Sequence, residues 1–86
     1  MRIFLQQLPV AGEPPRFYQI SLEQDLLGSW ILLREWGQPG ARNSARREVF
    51  LDRDAALQAL SKARDNQLKR GFQIMFQRGA DDPRKG

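Results

Sequence analysis

The stretch RFYQISLEQDLLGSWILLREW, residues 16–36, decides the fold because it holds two strand-like runs around one turn. Apolar and polar side chains alternate along the first run, residues 16–24, which is the pattern of a strand with one buried face, and the apolar-rich second run, residues 30–36, is predicted to be the next strand. Gly28 lies between the runs and suits a turn, so the default arrangement is an antiparallel hairpin. The side chains predicted to share a strand face are Tyr18, Ile20 and Leu22 in the first run, and Trp30, Leu32, Arg34 and Trp36 in the second.

Three further runs extend this hairpin into a sheet. RIFLQQL, residues 2–8, predicts a first strand that Pro9 ends, and ARREVFL, residues 45–51, predicts a strand that follows the hairpin. FQIMF, residues 72–76, alternates strictly and predicts a last strand, which suits a sheet edge. The residues predicted to share one face of this last strand are Phe72, Ile74 and Phe76.

A change of period from two to about 3.6 at Asp52 marks a helix. Asp52 is a predicted N-cap, Asp54 places negative charge in the first turn, and Gly71 is a natural stop after the last turn. The chain is therefore predicted to be α+β, with an antiparallel β-sheet of four to five strands and one amphipathic α-helix packed against it. The apolar stripe predicted for the helix contains Ala56, Leu57, Leu60, Ala63 and Leu68.

The length of 86 residues and the 41% apolar content provide for one small core. We expect a single domain over residues 1–77, with its core in residues 16–76. Residues 78–86 are polar and contain glycine and proline, so we expect a disordered tail there. The apolar run at residues 30–33 is far shorter than the ~20 residues of a membrane span, and the N-terminus lacks a signal-peptide pattern. We expect a cytoplasmic protein without a membrane partner.

The chain contains no histidine and no cysteine. Without them it lacks the usual acid–base group near neutral pH, the thiol nucleophile and the commonest ligands of transition metals. Its four serines have no histidine partner, and neighbouring carboxylates such as Asp81 and Asp82 are expected to be solvated surface charges. These absences predict a noncatalytic protein with no metal site and no cofactor.

Positive charge is in excess, with fourteen Lys and Arg residues against ten Asp and Glu residues and a formal net charge of +4. Eleven of the basic residues are arginines, and the planar guanidinium group suits bidentate contact with phosphate. This excess of positive charge favours a polyanion as partner.

The segment REWGQPGARNSARREVF, residues 34–50, sets an aromatic ring beside loop glycines and arginines. Pro39 cannot donate a backbone hydrogen bond, and the glycines suit positive φ, so a loop interrupts the pairing of strands here. A tryptophan at a strand end can stack on a ribose or an unpaired base, glycine N–H groups can meet an anion, and arginines can contact phosphates. No pattern of base-edge readout is present, so we expect binding to ends, nicks or single strands. The candidate nucleic-acid-binding residues are Trp36, Gly37, Gln38, Gly40, Arg34, Arg42, Arg46 and Arg47.

These residues resemble those of the WGR domain family, which occurs in DNA-dependent poly(ADP-ribose) polymerases and in bacterial proteins. The likeness covers residues 16–76: RFYQISL is similar to the family's opening strand, and RDAALQAL followed by KRGF is similar to its helix and closing step. Trp36 and Gly37 match the first two motif residues, Gly40 matches the next glycine, and Gln38 stands where the family has arginine. In the polymerases the motif tryptophan packs against sugar at a DNA break. The resemblance implies a noncatalytic nucleic-acid-binding module, with DNA favoured over RNA and with Trp36 packing against sugar or base.

Two alternatives stay open at the level of sequence. Trp36 could be a ring that only packs within the hairpin. Gln38 and Glu35, which replace residues that are often basic in the family, fit a protein-interaction or regulatory adaptor that keeps the scaffold without nucleic-acid affinity. DNA against RNA, the preferred end structure and the oligomeric state are open as well.

Overall fold

A computed structural model describes residues 1–8 and 11–79 of the chain. Five strands form one antiparallel sheet in the order β4-β3-β2-β1-β5, and one helix packs against it. The predicted α+β fold is confirmed, with the larger of the two expected strand numbers. The elements are β1 Arg2–Gln7, β2 Arg16–Gln24, β3 Trp30–Gly37, β4 Ser44–Phe50, α1 Arg53–Lys69 and β5 Phe72–Arg78.

The predicted hairpin forms the centre of the sheet, because β2 pairs with β3 antiparallel from Phe17 opposite Gly37 to Gln24 opposite Trp30. The turn uses Gly28 at φ 91, a conformation that favours glycine. The Asp25 side chain tightens it, since its Oδ1 accepts hydrogen bonds from the backbone N–H groups of Leu27 and Ser29, both at 2.9 Å. The turn is thus held by local hydrogen bonds that the sequence itself supplies.

The core lies between α1 and one face of the sheet. The side chains of Ile3, Leu5, Ile20 and Leu32 are completely or almost completely buried, which stabilises the fold by about 2 kcal/mol for each. The small side chains of α1 in this layer let the helix approach the strands closely. The buried cluster consists of Ile3, Leu5, Tyr18, Ile20, Leu22, Leu32, Ala56, Leu60 and Ala63.

At both ends of α1, backbone groups form hydrogen bonds at the residues where the sequence predicts the helix to begin and end. Asp52 is the N-cap, and its side-chain Oδ2 accepts a hydrogen bond from the backbone N–H of Ala55 at 3.0 Å. At the other end Gly71 has φ 92, and its N–H donates to the carbonyl of Leu68 at 3.1 Å. The Gln7 amide donates to the Arg70 carbonyl at 2.9 Å, which attaches this end of the helix to β1.

The predicted helical stripe is wrong at its last position. Leu68 is 41% exposed, whereas Gln67 is only 7% exposed. The reason is the spacing of the buried residues, which include Ala56, Leu60 and Ala63. At 3.6 residues per turn the next position on this face is 67 and not 68. The geometry of the helix therefore places a polar residue, Gln67, at the end of the buried stripe.

The strict alternation predicted for β5 is also wrong. Ile74 lies opposite Leu5, but Phe76 lies opposite Phe4, so the register shifts at Met75. Such a bulge transfers the following side chains to the other face. Phe76 consequently shares a face with Phe4, away from α1, while the predicted place of the strand at a sheet edge is confirmed.

Strand β5 includes Arg78, the first residue of the tail expected at residues 78–86. Residues 80–86 of that tail lie outside the described residues. No helix within the described part of the chain is long and apolar enough to cross a membrane.

Candidate nucleic-acid interface

A cleft of about 830 Å³ opens where the start of β2, the end of β3 and the C-terminal end of α1 meet. We call it the basic cleft. The loop after β3 forms one of its sides, and the start of β5 contributes to another. Its lining residues are Gln7, Arg16, Phe17, Tyr18, Arg34, Trp36, Gly37, Gln38, Ala41, Arg42, Asn66, Gln67, Lys69, Arg70 and Phe72.

Three aromatic rings build part of the wall of the basic cleft. Trp36 lies directly opposite Tyr18 in the sheet, and their rings stack with centroids 5.5 Å apart and planes 13° apart. Phe72 meets Tyr18 edge to face at 6.2 Å. Trp36 is half-buried and packs at the margin of the core. The ring thus packs within the hairpin and also lines the cleft.

The charge of the cleft has one sign. Its lining contains five basic side chains and no acidic one. Within the described residues only one of these five, Arg34, is in an ion pair. Like charges that converge in this way, four of them without an acidic partner in the described part of the chain, create a positive potential that attracts anions. The five are Arg16, Arg34, Arg42, Lys69 and Arg70.

Arg34 is the most enclosed of these cations, with a side chain that is 20% exposed. Its Nη2 donates to Oε1 of Glu48 at 2.9 Å. Its Nε is buried and has no hydrogen-bond partner in the described part of the chain. Glu48 also offsets the repulsion with Arg46, which lies directly opposite Arg34 in the sheet. Arg34 is thereby held with part of its hydrogen-bonding capacity unused.

The loop after β3 depends on its two glycines for different reasons. Gly40 has φ 82, as the sequence predicts, and a Cβ there would meet nothing within 4 Å. Gly37 does not have positive φ, which corrects the prediction for that residue. A Cβ on Gly37 would collide with Oδ1 of Asn43 and would lie 3.2 Å from its Cα. Gly37 is needed because the chain returns very close to it.

Gln38, at the place of the family's motif arginine, has a structural contact. Its Nε2 donates to the carbonyl of Pro14 at 3.0 Å, which ties the segment before β2 to the end of β3. Its side-chain oxygen is still able to accept a hydrogen bond. Gln38 brings no charge to the cleft.

The structure brings most of the predicted site residues together, but not all of them. Trp36, Gly37 and Gln38 line the basic cleft together with Arg34 and Arg42. The others do not line the cleft. Gly40 is exposed in the turn, Arg46 is exposed on the same sheet face as Arg34, and Arg47 is exposed on the opposite face.

Ten of the fifteen lining residues are not among the site residues that the sequence predicts, and they include Arg16, Gln67, Lys69 and Arg70. The position of Arg16 next to the paired aromatic residues of β2 is only a weak indication that it belongs to a binding site. Lys69 and Arg70 lie at the end of the helix, where basic side chains commonly complement the helix dipole, so their type and position do not by themselves indicate a binding site. Gln67 had a usable signal, since it continues the spacing of the buried helical residues.

Trp30, the other tryptophan, lies at the opposite end of β3. The guanidinium carbon of Arg53 lies over its ring at 5.9 Å from the centroid. The two tryptophans therefore share a strand face but not a site.

Comparison with known proteins assigns the chain to a family. No curated protein and no solved structure matches it. The family model described as WGR domain matches residues 1–77 of the 86-residue chain. That domain is a binding domain, known in general for association with nucleic acid, and is not itself catalytic. The order of elements and the Trp36–Gly37 step at the mouth of the cleft agree with this match, and the chain belongs to the WGR domain family.

Proposed function

We propose that this protein is a noncatalytic module that binds the ends, nicks or single strands of a polynucleotide through backbone and sugar contacts. DNA is the favoured partner, because the polymerases that carry this domain act at DNA breaks. Residues 1–77 form the binding domain. The observation that carries the proposal is the basic cleft, in which five cations surround a half-buried tryptophan and only one of them, Arg34, has an acidic partner among the described residues.

Each part of the cleft has a role in this proposal. Arg34 and Arg42 contact phosphates, and the edge of Trp36 packs against a sugar or base while Tyr18 supports its face. The backbone N–H groups near Gly37 and Gly40 contribute to holding an anion. The Gln38 side-chain oxygen accepts a hydrogen bond from a sugar hydroxyl or a base amine.

Arg46 and Arg47 extend the positive surface beyond the cleft. Both are exposed on β4, an edge strand, and they alternate between its two faces. A strand of nucleic acid that leaves the cleft along this edge meets Arg46 first, because Arg46 shares the face of Arg34.

The test is the affinity for nicked, blunt-ended and single-stranded oligonucleotides, measured by fluorescence anisotropy across a salt series. We expect affinity that falls steeply with salt, and we expect Trp36→Leu to weaken it by about tenfold, the size of one lost contact between an aromatic ring and a sugar or base. Leucine retains apolar packing against Tyr18. The matched control is Trp30→Leu, at the far end of the same strand face, which should leave affinity unchanged.

A protein-interaction adaptor is the second candidate, and one observation favours it. Leu26 and Leu27 are fully exposed on the hydrogen-bonded turn after β2, at the end of the sheet away from the basic cleft. Exposed leucines on a rigid turn are suited to an apolar contact with another protein. If no oligonucleotide binds even at low salt, the adaptor replaces the polynucleotide module as the better explanation.

A further inference from the structure

We propose that the basic cleft takes up one unpaired nucleotide and that the side-chain amide of Gln67 contacts its base. This inference rests on the proposed function. It adds a preference that the sequence does not indicate, for an end carrying an unpaired nucleotide over a fully paired end.

Gln67 is the first reason. It is 7% exposed, it lines the basic cleft, and its side chain makes no hydrogen bond within the described residues. Within the described residues its amide atoms are not fully enclosed, so they are accessible from the cleft. An apolar residue would otherwise suit this position at the end of the helical stripe. An amide offers two donors and an acceptor, which can complement the donors and acceptors on the edge of any base.

The size of the cleft is the second reason. Its volume of about 830 Å³ lies within the range of small-ligand pockets, about 300 to 1,000 Å³. A duplex cannot enter such a space. The duplex is wider than its own major groove, which is already about 12 Å across. A single nucleotide can enter, with its base between Trp36 and the end of α1.

The arrangement of the cations is the third reason. Arg34 and Arg42 approach from the β3 side, while Arg70 is held next to β1 by the hydrogen bond from Gln7. Positive charge on both sides of the cleft suits a nucleotide whose backbone enters on one side and leaves on the other. Near the end of α1 the carbonyls of Gln67, Leu68 and Arg70 accept hydrogen bonds, from the N–H groups of Arg70 and Gly71 and from the Gln7 amide. These hydrogen bonds reduce the repulsion between the helix end and a phosphate.

The test uses hairpin duplexes of one sequence with three ends: blunt, with one unpaired deoxyadenosine, and with an abasic residue in its place. The extension is placed at the 5′ end in one set and at the 3′ end in another. For one of these polarities we expect the protein to bind the deoxyadenosine end about tenfold more tightly than the blunt end and the abasic end.

Gln67→Leu should reduce the affinity for the deoxyadenosine end by about threefold to tenfold and leave the other two affinities unchanged. Gln58→Leu is the control, because Gln58 is exposed on the same helix and does not line the cleft. The thermal unfolding midpoint of Gln67→Leu should equal or exceed that of the wild type. If leucine lowers it, Gln67→Met provides the same test with a more adaptable side chain.

Equal affinity of the wild type for the deoxyadenosine and abasic ends overturns the inference, and so does an undiminished preference in the folded Gln67 variant. In both cases tight, salt-dependent binding to all ends leaves the proposed function standing. Failure to bind any of the ends at low salt overturns the proposed function together with this inference.

Discussion

Gly37 shows how a single residue can be required for space and not for backbone conformation. Its φ is not positive, yet the returning chain at Asn43 occupies the place of a side chain. The loop that carries Gln38 and Arg42 is thereby held close to the end of β3. Substitution of Gly37 therefore tests whether this close approach stabilises the wall of the cleft.

We predict that Gly37→Ala lowers the free energy of unfolding by about 1 to 3 kcal/mol, measured by urea denaturation, because the new Cβ overpacks against Asn43. Asn43→Ala should restore part of the loss by removing the colliding oxygen, and the two substitutions should be non-additive. Gly40→Ala is the comparison. It should cost about 1 to 2 kcal/mol through its φ of 82 alone and be additive with Asn43→Ala. Additive effects of Gly37→Ala and Asn43→Ala on the free energy of unfolding would contradict the steric explanation.

Among the elements, α1 has a different role at each of its two ends: one end stabilises the helix, and the other lines the cleft. Its N-terminus is capped by Asp52, whereas its C-terminal end supplies Gln67, Lys69 and Arg70 to the cleft. The 17 residues of the helix span about 25 Å, so a change at the cap affects stability without touching the cleft.

We predict that Asp52→Ala lowers the free energy of unfolding by about 1 kcal/mol, because the N–H of Ala55 loses its acceptor. Asp52→Asn retains a side-chain oxygen and should preserve most of the stability. Oligonucleotide affinity should be the same for the wild type and both variants. A loss of affinity in folded Asp52→Ala would show that the two ends of the helix are coupled.

Strand β4 separates two neighbouring arginines by the alternation of its faces. Arg46 shares the face of Arg34, and Arg47 lies on the other face. We predict that Arg46→Ala weakens oligonucleotide binding and reduces the salt slope by about 1, and that Arg47→Ala has the smaller effect on both. The two variants have the same net charge. If nonspecific attraction determined binding, both substitutions would therefore weaken it equally.

At the scale of the whole molecule, the sheet and the helix gather cations from distant parts of the sequence. Arg16 and Arg70 are separated by most of the chain, yet both line one cleft. Each phosphate contact contributes about −0.7 to −0.9 to the slope of log affinity against log salt, so five contacts give about −4.

We predict that the double variant Lys69→Ala/Arg70→Ala makes this slope about 1.5 less steep, because two contacts are lost. Lys62→Ala/Arg78→Ala is the charge-matched control, since both residues are exposed and lie outside the cleft lining. It should leave the slope almost unchanged. Equal changes in the two double variants would mean that net charge, and not the cleft, determines binding.

The sequence by itself determined the features that depend on neighbours along the chain. Alternation and Gly28 predict the hairpin, and Asp52 and Gly71 predict the limits of the helix, because turns and caps are local hydrogen-bonding arrangements. The family was indicated by the order of local motifs along residues 16–76, in which the Trp36–Gly37 step lies between the opening strand and the helix, because each motif is contained in a few consecutive residues.

Only the tertiary structure decided which residues meet at the cleft. The bulge at Met75 transfers Phe76 to the other face, and the turn of the helix buries Gln67 in place of Leu68. Arg16 and Arg70 acquire a common role only when β2 and the end of α1 are brought to one end of the sheet. Local patterns specify which side chains an element can bury, but the packing of elements determines which distant charges converge, and the binding surface depends on that convergence.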